Sequence, residues 1–465
     1  MLESSPIIQE NSPVFIKLPS ENIRFVTLKP NNTISLGKFG SFCTDDLFGK
    51  TYDETFEIYE PKKIRVLKTR EVQSLEEENK TNKELMDCRS NQLMSQDEIE
   101  ELRKQIKEGG LRGEEAIRQL TSKSLTFDQK TQYAQAKYVN RKGEKYLQQF
   151  RALRPCLETV TEYMLDHDQY KIMELTADCS TYMMTLGNAQ PGGRYLVVDE
   201  TGCLFLGSLL ERLGGDCKVT LVHPNEQPNS SCLELWGKEY TEESLVEKGI
   251  LRTLNWLQVI GPEEALKDMH VDDCTEEELN EMKLRHKKRY ESRKASYARL
   301  QSSLEDFEKG NFDALFVLSN HTPMSVLNLL LPKIGSSRPV LVYSPYQQVL
   351  VDTHHELFKW SNPCEVTETN NEDITNDESS EKHELQDTQN AWVEKLIMLD
   401  IHEIRTRPYQ VLPERTHPFM SIRGDMGYVL SGLKVLSSVC TVAAGRFPKR
   451  QKQGAGNKKK ANTRV

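Results

Sequence analysis

A glycine-dense phosphate loop, a zinc-spaced cysteine pair and a membrane-length apolar run are all missing from this 465-residue sequence. Its ten cysteines include no C-x-x-C, and the middle three, Cys203, Cys217 and Cys232, lie 14 and 15 residues apart. That spacing argues against a zinc ribbon or a disulfide framework and predicts reduced, packed thiols. The clean apolar run VLSSVCTVAA, from Val435, falls far short of the roughly 18 residues that span a bilayer, so no membrane partner is expected. The opening MLESSPIIQE is acidic and has no apolar core of a signal peptide. The expectation is a soluble intracellular chain. His354 and His355 are adjacent on a predicted helix with no third ligand in view, and no metal site is expected.

What is present divides the chain. Residues 1–70 alternate with period two in VFIKL, IRFVTL, TISLGKFGSF, TFEIY and KIRVL, which predicts a small antiparallel β-barrel. Residues 71–122 read as an acidic linker and short helices broken at Gly109 and Gly110, with Ser95 and Glu98 spaced as a capping box. Residues 123–175 read as a basic helical connector. From 176 to 445, strands RYLVV, KVTLVH, DALFVLS and RPVLVYS alternate with helices, which predicts a doubly wound, mostly parallel Rossmann-like sheet. Two insertions interrupt it: 268–303, charged and helical, and 361–390, where nine acids meet one lysine in an expected loop. Residues 446–465 form a basic tail with nothing to bury. The fold class is therefore α/β, a small antiparallel β-barrel followed by a doubly wound Rossmann-like fold.

The net charge of −9 is unevenly spread. Eight Lys/Arg face two acids from Lys123 to Arg154, eight face one from Lys283 to Arg299, and eight face none from Arg446 onward. A local field on one face matters more for phosphate binding than the total. At 100° per residue, Lys130, Lys137 and Arg141 fall within about 20° of one line, with Lys145 about 60° away. Lys142 and Arg154 belong to the same basic block, and Tyr133 and Tyr138 flank the stripe. Such a stripe is either a solvated helix face or a phosphate contact with tyrosines that stack on unpaired bases.

The stretch GRYLVVDETGCLFLGSLLERLGG (193–215) has the strand and the helix of a nucleotide-binding βα turn, and its loop has filled up. After Val198 come Asp199, Glu200, Thr201, Gly202, Cys203, Leu204 and Phe205, with one glycine where a competent loop has three. KVTLVHP ends in His223 and Pro224 where a ribose-binding acid belongs. DALFVLS ends in SNHTP, where an N1-adenine methyltransferase presents an Asp and a Pro to the base. Three positions fail together, so the sequence predicts no functional cofactor site, no cofactor-binding residue and no catalytic residue.

LGKFGSF, FDQKTQYAQAKYVNRK, VDETG and TRPYQVLPERTHPFM, in this order, resemble the non-catalytic subunits of the eukaryotic tRNA (adenine-N1) methyltransferase that acts on the T-loop adenine. The resemblance implies a β-barrel followed by a Rossmann-like methyltransferase fold lacking a functional cofactor site, in a non-enzymatic chain that binds and positions tRNA and supports a catalytic subunit. It also implies a heterotetramer of two plus two chains in which S-adenosylmethionine sits on the catalytic partner and none on this chain. By the same resemblance Gly110, Arg112 and Gly113 form a phosphate-holding helix start, and Arg407, Tyr409, Arg415 and His417 contact RNA. His417 before Pro418 also fits a turn histidine satisfied by backbone. KKK at 458–460 fits a nuclear address or a loose RNA tether, and the nucleus is the expected compartment. Two rival readings stand beside this one: an active S-adenosylmethionine-dependent RNA methyltransferase, and a scaffold that never touches RNA.

Overall fold

The computed structural model describes residues 7–60, 62–67, 93–107, 113–124, 127, 132–272, 274, 283–361, 396–411, 416–420 and 424–435. Short period-two segments near the start pair as an antiparallel sheet. Strands β1 (Pro13–Lys17), β2 (Ile23–Thr27), β5 (Thr55–Glu60), β6 (Lys63–Val66) and β7 (Gln149–Leu153) lie in the order β2-β1-β7-β5-β6, with the ribbon β3 (Thr33–Ser35) and β4 (Ser41–Cys43) beside them. The central strand β7 comes from within the stretch read as a helical connector. Its alternation explains the recruitment: Phe150 and Ala152 join Val14, Ile16, Phe42 and Phe56 in one core, and the Phe42 and Phe150 rings stack at 4.5 Å. The opposite face of the same strands carries Phe15 and Leu153 into the core of the next unit.

Helices α1 (Gln96–Lys107), α2 (Gly113–Ser122) and α3 (Gln132–Tyr146) share a small core of Met94, Leu102, Ala116, Leu120 and Tyr146. The expected capping box closes α1: the Glu98 amide donates to Ser95 Oγ at 3.2 Å and the Ser95 amide to Glu98 Oε2 at 2.8 Å.

Helix α4 (Leu157–Asp168) ties the first sheet to the larger unit, with Lys17 Nζ 3.1 Å from Glu162. After α5 (Ala177–Leu186) the α/β alternation begins. It runs β8 (Arg194–Asp199), α6 (Leu204–Leu213), β9 (Lys218–His223), α7 (Glu242–Glu247), β10 (Leu251–Asn255), α8 (Trp256–Ile260), α9 (Pro262–Met269) and α10 (Leu284–Lys309). It continues with β11 (Ala314–Leu318), α11 (Pro323–Leu330), β12 (Pro339–Ser344), α12 (Gln347–Ser361), β13 (Leu396–Thr406) and β16 (Asp425–Lys434), and the two-residue strands β14 (Tyr409–Gln410) and β15 (His417–Pro418) pair separately. The sheet order is β10-β9-β8-β11-β12-β16-β13: five parallel strands, then β16 antiparallel to both neighbours.

Continuous apolar runs in the inner strands follow from cover on both faces. Tyr195, Val197, Leu221 and Phe316 face one layer, and Leu196, Val198, Leu315 and Val317 the other. Helix α10 runs past the expected insertion end at 303 because Leu304 and Phe307 turn into that second core. The expected loop 361–390 and the tail 446–465 lie outside the described residues, Ser361 excepted. Among the described residues, no helix is long and apolar enough to cross a membrane.

Candidate functional site

In an open parallel sheet, ligands sit outside the carboxyl ends of the strands where the order reverses, here between β8 and β11. Asp199 closes β8 and is buried. Its carboxylate accepts from the Thr201 amide at 2.8 Å, from Thr201 Oγ1 at 2.5 Å and from the Leu206 amide at 2.9 Å. Leu206 lies in the first turn of α6, whose N-cap residue Cys203 has a left-handed backbone and no side-chain cap. Asp199 and Thr201, whose Oγ1 accepts from the Phe205 amide at 3.4 Å, therefore cap the helix start, where an anionic ligand group would otherwise dock. Burial raises the Asp199 pKa, against those three hydrogen bonds.

The next residue reaches across the crevice. Glu200 accepts from Ser319 Oγ at 2.6 Å, from the Asn320 amide at 3.0 Å and from Asn320 Nδ2 at 3.1 Å, and His321 Nε2 lies 3.6 Å away. One carboxylate thus links the loops after β8 and β11. From the other side, the segment after β9 covers the turn: the Cys232 amide donates to Gly202 O at 2.9 Å, and a Cβ on Gly202 would stand 3.0 Å from Ser231 Oγ. Gly202 also has φ +70°, which favours glycine. Phe205 is fully buried with its ring 5.0 Å from Phe316.

At the end of β9, His223 is buried and its Nδ1 has no hydrogen-bond partner. Burial lowers its pKa, against a contact with the Asn225 backbone. A neutral imidazole offers one acceptor nitrogen, against the two oxygens of a carboxylate. The thiols nearby are poor nucleophiles: burial raises Cys203 well above its ordinary value and pushes Cys232 up to about 12. Among the described residues, no group of three His, Cys, Asp or Glu is arranged to hold a metal.

The RNA candidates fall in three places. Lys137 and Arg141 are exposed on α3, one turn apart, and Lys142 sits half-buried with Nζ 5.0 Å from the centre of the Tyr138 ring. Tyr138 also meets Phe127 edge to face at 5.7 Å, so it is engaged within the protein rather than displayed. Lys145 belongs to α3 and Gly113 begins α2, while Gly110, Arg112, Lys130 and Arg415 lie outside the described residues. Arg154 stands apart from the stripe. Half-buried just after β7, it carries a charge that opposes the rise in pKa that burial causes at Glu211, Tyr52 and Tyr240. Glu211 accepts from the Leu157 amide at 2.9 Å and from Trp236 Nε1 at 3.0 Å.

The third place is the hairpin of β14 (Tyr409–Gln410) and β15 (His417–Pro418), which brings Arg407, Tyr409 and His417 together. All three are exposed. Gln410 pairs with His417, so side-chain alternation sets Tyr409 on the opposite ribbon face from His417. His417 Nδ1 lies 3.1 Å from Pro418 O, the backbone-satisfied arrangement. Sequence reasoning missed the Glu200 bridge and the position of Arg154 apart from α3. For the bridge, the available signal was a second acid directly after Asp199.

A protein of Schizosaccharomyces pombe named as a tRNA (adenine(58)-N(1))-methyltransferase non-catalytic subunit is 68% identical over 97% of each chain. A Debaryomyces hansenii protein of the same description is 29% identical over 95% of this chain and 90% of its own. Among solved structures, a tRNA (m1A58) methyltransferase of Aquifex aeolicus is similar at 12% identity and a TM-score of 0.41, over 93% of this chain and all of its own. The Gcd10p family model matches residues 7–283, more than half of the sequence. The chain belongs to the Gcd10p family.

Proposed function

We propose that this chain is a non-catalytic subunit of a tRNA (adenine-N1) methyltransferase, which binds and positions tRNA and supports a catalytic subunit carrying S-adenosylmethionine. The relatives' shared description as non-catalytic subunits supports the assignment. The observation that carries it here is the crevice itself. Asp199 is spent on capping α6, Glu200 ties the two flanking loops together, and His223 occupies the place of the ribose acid. The methyl donor finds neither a free helix N-terminus nor an acceptor for its ribose. On this reading the first sheet closes with its β3–β4 ribbon into a barrel. The assembly is a nuclear heterotetramer of two chains of each kind. Lys130, Lys137 and Arg141 lie on the tRNA path, joined by the Arg407 and Tyr409 hairpin.

Equilibrium dialysis of S-adenosylmethionine against the full chain tests the cofactor half; micromolar binding would overturn it and favour an active methyltransferase. The RNA half is tested by the combined variant Lys130→Glu, Lys137→Glu and Arg141→Glu in the assembled complex. Unchanged tRNA affinity would favour a scaffold that does not touch RNA.

A further inference from the structure

Helix α10 spans 26 residues, and its two ends have opposite characters. Leu300, Ser303, Leu304 and Phe307 bury its last third, whereas no residue from Lys283 to Arg299 is buried. At 1.5 Å per residue the unburied part is about 24 Å long. It carries eight Lys/Arg and one acid, Glu291. Among the described residues, Arg285, Lys287, Lys288, Arg289 and Arg293 have no ion-pair partner within 4.0 Å. Arg285, Arg289 and Arg293 follow one another at four-residue spacing, so their like charges repel along the helix. Self-repulsion of this kind weakens an isolated helix and is relieved by a polyanion.

The arm has one anchored side. The Cys274 amide donates to Tyr290 OH at 3.0 Å, and the His270 and Tyr297 rings meet at 5.5 Å. Both tyrosines are therefore engaged with the 270–274 segment rather than offered to a base. Leu284 is the one large aliphatic residue between Lys283 and Arg299, so the arm lacks the apolar stripe with which a helix docks on a protein groove or a membrane. What remains for recognition is a dense, rigid row of cations.

We infer that the exposed part of α10 is a second RNA-binding element, which grips the sugar-phosphate backbone of the bound RNA at a place separate from α3. The inference rests on the tRNA-binding reading above. The arm adds affinity without reading bases, since its groups match phosphates and its aromatics are occupied. Four contacts to a helical stem correspond to a salt slope of log affinity against log salt of about 3.6.

The test uses the full chain assembled with its catalytic partner and a tRNA transcript, with affinity measured across a salt series. The variant Arg285→Gln, Lys288→Gln, Arg289→Gln and Arg293→Gln leaves the buried anchor intact, and circular dichroism checks that the fold is retained. Affinity at low salt is expected to fall more than tenfold, with the slope shallower by about 3.6. A separate variant, Lys137→Glu with Arg141→Glu, keeps the two readings distinguishable. If the arm variant binds tRNA as the parent does while the α3 variant is impaired, the arm inference is overturned and the proposed function stands. If neither variant loses affinity, both fall. If tRNA affinity is unchanged and the arm variant loses only binding to polyglutamate, the arm is an acidic-protein site and the inference is equally overturned.

Discussion

Glu200 holds Asn320 twice, by the backbone amide at 3.0 Å and by Nδ2 at 3.1 Å, from a position 120 residues earlier in the chain. The bond pair joins the two loops between which a doubly wound sheet would admit its ligand. Replacing Glu200 with Ala removes the acceptor of half-buried Ser319 Oγ and leaves the donors of exposed Asn320 to water. The expected cost is roughly 0.5–1.5 kcal/mol, read by urea unfolding of the full chain. The same variant should still fail to bind S-adenosylmethionine, because His223 and the Asp199 cap remain. Donor binding gained through this single change would make Glu200 the sole block.

Whether Arg154 serves the fold or the RNA is open to a direct test. Burial raises the pKa of Glu211, a half-buried carboxylate already accepting from Leu157 and Trp236, and the charge of Arg154 opposes that rise. Arg154→Ala removes the favourable charge beside Glu211 and should lower the unfolding midpoint. The salt slope for tRNA should stay that of the parent. A slope shallower by about one, with stability unchanged, would return Arg154 to the phosphate contacts.

The same contrast explains what the sequence could disclose. Period-two segments and apolar runs forecast both sheets, and the Ser95 to Glu98 spacing forecast a real cap, because those patterns are local. QFRAL at 149–153 carries too few residues to declare itself, and it becomes a strand because β1 and β5 bracket it after a long excursion through α1 to α3. In the crevice, VDETG revealed that the loop was crowded. It did not reveal that Asp199 caps α6 or that Glu200 bonds to the loop after β11, since both depend on where the chain returns. The place of Arg154 just after β7, apart from α3, likewise depends on where the chain returns.

His223 makes the larger unit acid-sensitive. Burial depresses its pKa in the folded chain below the ordinary value near 6.5, so folding favours the neutral ring. A group of that kind contributes its full stability above about 6.5, the unfolded value, and loses it as pH falls through the folded value. The parent should therefore lose stability on acidification below about pH 6.5, and His223→Asn should flatten that part of the profile. Denaturant midpoints taken from pH 5 to 8 measure it. Parallel profiles for parent and variant would mean that His223 gains its proton in the fold as easily as in the unfolded chain.

Tyr409 offers a contact different in kind from the lysines. It is 55% exposed on a hairpin where Arg407 is also exposed, and its ring lies on the ribbon face away from His417. A base stacked on such a ring is worth roughly 1–3 kcal/mol and carries no counterion term. Tyr409→Ala should therefore weaken tRNA binding about fivefold to a hundredfold with the salt slope intact, while Tyr409→Phe retains affinity. Arg407→Gln should do the reverse, lowering the slope by about one with a smaller loss at high salt. His417→Ala should do neither, because its Nδ1 already lies against the Pro418 carbonyl. Equal loss from Tyr409→Phe and Tyr409→Ala would point to the hydroxyl, and to a hydrogen bond rather than a stacked base.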